Sequence, residues 1–292
     1  MVTGMVRSAS VPFRKGHRMR LYVNIALLAA LGVVLSGCQP FMKRDRMDRG
    51  LVIVLTGIEG RSFINRGIRA GLDDGKVDWG IELVDWTTWW RTPLGNLINE
   101  AGNRRKAEDL ADKVVRYQTR YPGRPVVLVG QSGGAAMAVW IAESLPEGVQ
   151  VDGIILLAAA LSPEYRLDDA LARSRQGIVS FHSKQDWVLW MTKFVGTMDE
   201  RKKEAAGRVG FSMPSSGPGA EAYERLYEVP WSEKMAAFLA AEPGWDGGHL
   251  TSGRRLFIRW YVAPLVLMRQ WSQTRIDEVM EAEARPTGAS IP

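Results

Sequence analysis

The sequence predicts an α/β domain: a mostly parallel, doubly wound sheet of about six strands with helices on both faces. From residue 51 onward, short runs rich in Val, Ile and Leu alternate with longer amphipathic stretches. The apolar runs are nearly continuous and do not alternate with polar residues, which suits strands buried on both faces of a parallel sheet. Strands that alternate with helices make βαβ units with right-handed crossovers. At 292 residues, 46% hydrophobic and 24% charged, the chain is long enough to bury one large core of this kind.

The segment before residue 51 belongs to targeting. Arg7, Arg14, Lys15, Arg18 and Arg20 precede the apolar run "LYVNIALLAALGVVLSG", which is too short and too abruptly ended for a membrane span but has the proportions of a secretory signal. The run closes on Leu35-Ser36-Gly37-Cys38, and Cys38 is the only cysteine in the chain. This stretch resembles the lipobox of bacterial lipoproteins. The resemblance implies a signal peptide over 1–37, cleavage before Cys38, and lipid carried on Cys38. Met19 begins a compact signal of its own, so the true start is either Met1 or Met19. With Cys38 used for lipid, no disulfide is expected. Residues 38–50 then form a short tether that holds the domain near a bilayer. Gln39 stands where an aspartate would signal inner-membrane retention, which points to an outer membrane facing the periplasm.

From residue 51 to 292 one domain is expected. "LVIVLTG" (51–57), "IELVDW" (81–86), "PVVLVG" (125–130), "VDGIILLAA" (151–159), "GIVSFHS" (177–183) and "RLYEVPW" (225–231) read as its strands. Between them, "NRRKAEDLADKVVRYQTRY" places Ala107, Leu110, Ala111, Val114 and Val115 on one helical face. Other helices are expected to start near Arg61, Gly133, Asp168, Trp187, Ser232 and Ser252. Residues 202–224, rich in Gly, Ser and Pro, read as a flexible loop or lid.

The net charge of +6 does not mark a nucleic-acid binder, because it sits almost wholly before residue 50. The five cations of the signal have no acid among them, and Lys43, Arg44, Arg46 and Arg49 outnumber Asp45 and Asp48. The domain that follows is near neutral and lacks the basic footprint that nucleic acid requires.

Within "RPVVLVGQSGGAAMAVW", Ser132 stands between Gly130 and Gly134 where a strand runs into a helix. The turn is tight enough that bulky side chains at 130 and 134 would clash, hence glycine on both sides. This strand, G-x-S-x-G, helix pattern resembles the nucleophile elbow of the α/β-hydrolase superfamily, and the resemblance covers residues 51 to about 271. It implies that Ser132 is a nucleophile served by a histidine base and an acid that orients the base. His249, on the Gly-rich loop "GWDGGHLTSG" after the last strand, occupies the family's histidine position. His182, at a strand end, reads as a structural neighbour. Asp186, in the turn after residues 177–181, completes the family's Ser, Asp, His chain order, with Asp168, Asp169 and Asp246 as competitors. The oxyanion donors would be the backbone N–H groups of Gly133 and Ile58, the latter in "LTGIEGRS", where Thr56 replaces the family's usual histidine.

The expected function is a serine hydrolase of the bacterial cell envelope, anchored through Cys38, that cleaves a carboxylic ester or thioester of a small-molecule or lipid acyl substrate. The same triad would also serve a peptidase or acyltransferase, and the scaffold alone would serve a non-catalytic binding protein. Trp86, Trp89, Trp90, Trp187 and Trp190 either line an acyl pocket or belong to the core. No ligand spacing for a metal is present, no cofactor is implied, and no nucleic-acid partner is expected.

Overall fold

A computed structural model of the protein describes residues 40–88, 91–214, 219–235 and 247–282; Cys38, Trp89, Trp90 and Asp246 lie outside them. The chain divides into two units, Met1–Pro40 and Phe41–Pro292, and the architecture that follows is that of the second. Its strands are β1 (Leu51–Leu55), β2 (Gly80–Val84), β3 (Val126–Gln131), β4 (Gly153–Leu157), β5 (Ile178–His182) and β6 (Leu226–Pro230). Every expected strand is present, with its ends within two residues of those read from the sequence.

The six strands form one sheet in the order β2-β1-β3-β4-β5-β6, with every neighbouring pair parallel. The chain enters at β1, steps outward to β2 and returns to the far side at β3. The order reverses between β1 and β3, and it is outside the carboxyl ends of strands at such a reversal that open α/β sheets put their ligands. Leu51 is in register with both Gly80 and Val126, so strand starts gather at one pole and strand ends at the other.

Both faces of the sheet are covered, which explains the unbroken apolar runs. On one face Leu51, Ile53, Leu55, Leu128 and Ile154 meet α3 (Glu100–Arg120) and α4 (Gly133–Glu143). On the other, Val52, Val54, Val127, Val129 and Ile155 meet α2 (Phe63–Asp74), Phe257 and Ile258, and Ile276. All residues of α4 from Gly133 to Ala142 are buried, which is why it is apolar all round. In α3 the buried stripe is Asn103, Ala107, Ala111, Val114 and Tyr117, with Leu110 and Val115 at its margins.

Two stretches are more ordered than their composition suggests. Residues 41–49, within the expected tether, dock on the sheet: Phe41 O accepts from Ile81 N–H at 2.8 Å, and the guanidinium of Arg46 in α1 (Arg44–Met47) donates to Trp79 O, Val77 O and Asp73. Within the expected lid, residues 206 and 207 are wedged between the ends of β4 and β5. Ala206 N–H donates to Leu161 O, Gly207 N–H to Ala159 O, and Gly207 O accepts from Ser183 N–H. The backbone of Ala158 and Ala159 lies so close to Gly207 that no Cβ would fit. Farther on, the Tyr223 hydroxyl accepts from Leu167 N–H at 2.8 Å.

Candidate active site

Ser132 occupies the turn between β3 and α4 with φ 57° and ψ −119°, a conformation that costs a non-glycine residue about 1–3 kcal/mol. The surroundings enforce it. A Cβ on Gly130 would strike the carbonyl of Gly134, and one on Gly134 would strike the carbonyls of Leu55 and Thr56. Ser132 N–H donates to Leu157 O at 2.8 Å, and Ser132 O accepts from Ala160 N–H at 3.2 Å, which ties the turn to the end of β4. Among the described residues, no hydrogen bond is made by the Ser132 hydroxyl.

Asp186 and His249 are brought together by the ends of β5 and β6. Asp186 is 1% exposed. Its Oδ1 accepts from Leu189 N–H at 2.9 Å, capping a short helix, and its Oδ2 lies 2.7 Å from His249 Nδ1. A carboxylate at this distance assigns the proton to Nδ1 and leaves Nε2 as the free acceptor of the ring. The Asp186 turn is itself braced: Asp186 N–H donates to Ser183 O, and the Arg208 guanidinium donates to Lys184 O. The competing Asp168 is engaged elsewhere, by Arg166 at 2.6 Å, and that hydrogen bond holds its carboxyl below the usual range.

Three successive carbonyls of the loop after β1 are fixed by hydrogen bonds. The Trp86 indole Nε1–H donates to Thr56 O at 2.6 Å, Gly60 N–H to Gly57 O at 3.1 Å, and Asn96 Nδ2 to Ile58 O at 3.2 Å. In a trans peptide the N–H points opposite the C=O, so the bond to Gly57 O aims Ile58 N–H away from the turn. Ile58 lies directly over the start of α4: a Cβ on Gly133 would stand 2.6 Å from Ile58 Cγ2 and 3.1 Å from Trp86 Cζ2. The two backbone groups expected as oxyanion donors therefore belong to neighbouring turns. Asn96 carries no signal of this role in the sequence. Trp86 is a core residue with a polar duty, supported in turn by Lys106, whose Nζ donates to Trp86 O at 2.7 Å.

Other expected residues do not join the pair, although His182 lines the same small cavity as Asp186. His182 Nε2 lies 3.6 Å from Glu228 Oε2, inside the sheet, and burial lowers the pKa of its imidazole. Trp187 is 69% exposed, and Trp190 packs edge-on against the exposed Phe194 at 5.4 Å. These residues form an apolar rim immediately after Asp186. Among the described residues, no group of three or more His, Cys, Asp or Glu side chains is placed to hold a metal ion.

No protein-family model matches the chain, and none of the curated proteins matches it. Among solved structures it is similar to esterase PE8, at 17% identity and TM-score 0.38 over 69% of this chain and 85% of that one. It is also similar to Aspergillus fumigatus lipase B, at 12% identity and TM-score 0.46 over 84% of this chain and 59% of the lipase. A third is TT1662 from Thermus thermophilus, at 17% identity and TM-score 0.40 over 80% and 90% of the two chains. Likenesses this distant decide nothing about chemistry; strand order and turn geometry decide the fold. With six parallel strands in the order β2-β1-β3-β4-β5-β6, a strained serine turn after β3, and an acid and a histidine after β5 and β6, the unit from Phe41 onward has the α/β-hydrolase fold.

Proposed function

We propose that the chain is a serine hydrolase that cleaves a carboxylic ester or thioester through an acyl-enzyme. One observation carries the reading: Asp186 Oδ2 and His249 Nδ1, 63 residues apart in sequence, meet at 2.7 Å at the pole of the sheet where Ser132 ends β3. A buried carboxylate on Nδ1 is what an imidazole needs in order to accept a serine proton at Nε2.

The chemistry runs as follows. Ser132 Oγ bonds to the acyl carbon while its proton passes to His249 Nε2, and the carbonyl oxygen becomes an oxyanion beside the N–H groups of Gly133 and Ile58. The C–O or C–S bond to the leaving group then breaks as His249 returns the proton to the alcohol or thiol. Water, deprotonated by the same imidazole, releases the acid and restores Ser132. Asp186 orients His249 and offsets its charge. The fixed carbonyls of Thr56, Gly57 and Ile58 support this role for the loop, because donors that need no rearrangement stabilise the oxyanion most. The rim of Trp187, Trp190 and Phe194 favours an apolar acyl group.

The proposal extends to location: Cys38 carries lipid and holds the enzyme in the bacterial envelope. The chemistry is tested with a fluorophosphonate probe on the chain beginning at Gln39, which retains both core clusters. Wild type is expected to become labelled and Ser132→Ala to stay unlabelled; a folded wild type that resists the probe overturns the hydrolase reading. The anchor is tested by metabolic labelling with a palmitate analogue, which Cys38→Ala should abolish.

A further inference from the structure

The pole of the sheet opposite Ser132 carries a basic groove of about 490 Å³. Arg44, Met42 and Met47 form one wall, around α1. Lys113, Arg116, Tyr117, Arg120 and Tyr121, along the last turns of α3, form the other. Four cations thus line it against one carboxylate, Glu82, and Lys113 already bonds Glu82. Arg44, Arg116 and Arg120 are exposed, and among the described residues none of them makes a salt bridge. Arg116 and Arg120 stand one helical turn apart on α3, and Arg120 leans over the Tyr121 ring at 5.7 Å. Of the other acids nearby, Asp45 is shared with Arg49, and Asp48, exposed at the end of α1, adds a second negative charge beside the groove.

We propose that this groove seats the phosphates of anionic phospholipid headgroups, so that the amino-terminal pole is the face turned to the membrane. The guanidinium groups are spread over two elements, which suits an array of headgroups better than one small anion. Tyr117, Tyr121, Met42 and Met47 between them supply the amphipathic and apolar surface that settles at a headgroup boundary. Chain length agrees. The proposal rests for its orientation on the anchor reading, and three residues from Cys38 to Phe41 span at most ~11 Å. Phe41 bonds the start of β2 at this pole, while Ser132 sits at the other end of strands that all run away from it.

The experiment is co-sedimentation of the chain beginning at Gln39, which has neither Cys38 nor the basic signal, with vesicles of phosphatidylcholine alone or mixed with phosphatidylglycerol. Binding is expected to the mixed vesicles only, and to weaken with salt. Each arginine neutralised should cost about fivefold, so Arg44→Gln, Arg116→Gln and Arg120→Gln combined should cost on the order of 100-fold. Fluorophosphonate labelling of Ser132 should persist in that variant and so report an intact fold. Equal binding by wild type and the triple variant overturns the proposal, as does equal binding to both vesicle types. Displacement by inorganic phosphate would mark a site for the free ion, and competition by DNA at matched phosphate would mark a general polyanion surface; either overturns the lipid assignment. Because this chain lacks Cys38, vesicle binding stands or falls separately from palmitate labelling. A groove that binds in a protein without acylated Cys38 refutes the anchor alone.

Discussion

Among the described residues, two carboxylates pair with an imidazole, and the two pairs are built in opposite ways. Asp186 and His249 lie on loops beyond the strand ends at 2.7 Å, and the carboxylate has a donor on each oxygen, Leu189 N–H and the imidazole. Glu228 and His182 lie within β6 and β5 at 3.6 Å. There Oε1 accepts from Phe211 N–H at 2.7 Å, but Oε2 has no hydrogen-bond partner among the described residues. Burial pushes the Glu228 carboxyl up to about 7, with the Phe211 N–H working against it, and burial also lowers the pKa of the His182 imidazole. Residue type does not separate the pairs; the supply of donors does. A carboxylate with a donor on each oxygen holds an imidazole in one tautomer, whereas burial carries the Glu228 carboxyl up to about 7.

The sharpest way to break this contrast is to remove the charge from each pair in turn. Asp186→Asn keeps an acceptor for the Leu189 cap, so the fold should survive, yet it presents the wrong group to His249 Nδ1. Turnover of a p-nitrophenyl ester should fall about 10⁴-fold at unchanged melting temperature. A loss below tenfold would mean that another carboxylate serves His249.

Glu228→Gln should act on stability instead. The folded pKa of Glu228 lies above its ordinary 4.5, so its contribution is fully present below pH 4.5 and is lost as pH rises through about 7. At pH 8 the substitution should therefore stabilise by up to about 3 kcal/mol, with no gain at pH 4.5 and turnover unchanged. Thermal melts at the two pH values check this, and an equal shift at both would refute a charge origin.

The smallest effect belongs to His182→Gln. Because the imidazole pKa is lowered from 6.5, stability is present above that pH and lost as pH falls below it. The variant should flatten the melting curve's pH dependence below 6.5 and leave turnover alone. A large loss of activity would bring His182 into the reaction and erase the contrast between the pairs.

Much of this was legible in the residues because it is local. Continuous Val, Ile and Leu runs mark strands buried on both faces, and Gly130 and Gly134 announce backbones too close for a side chain. Chain order singled out Asp186 and His249, and the geometry joins them. What stayed hidden depends on partners far along the chain. The charged segment 41–49 reads as tether, since nothing in it reveals that Arg46 will meet the carbonyls of Val77 and Trp79. Residues 206 and 207 read as loop because small residues and glycine suggest freedom; here Gly207 is glycine because the Ala158–Ala159 backbone leaves no room for a Cβ. Asn96 looks like any surface amide until it reaches Ile58 O, 38 residues earlier.

The parallel sheet has a practical corollary. Because Phe41 bonds to the start of β2 while Ser132 follows the end of β3, the entry of the chain and its reactive turn stand at opposite poles. Immobilised on a bead through the exposed Arg44 of α1, the protein would present its serine turn outward, with substrate arriving unobstructed from the bulk. Attachment beside the exposed Leu250, next to His249, would turn that face towards the support.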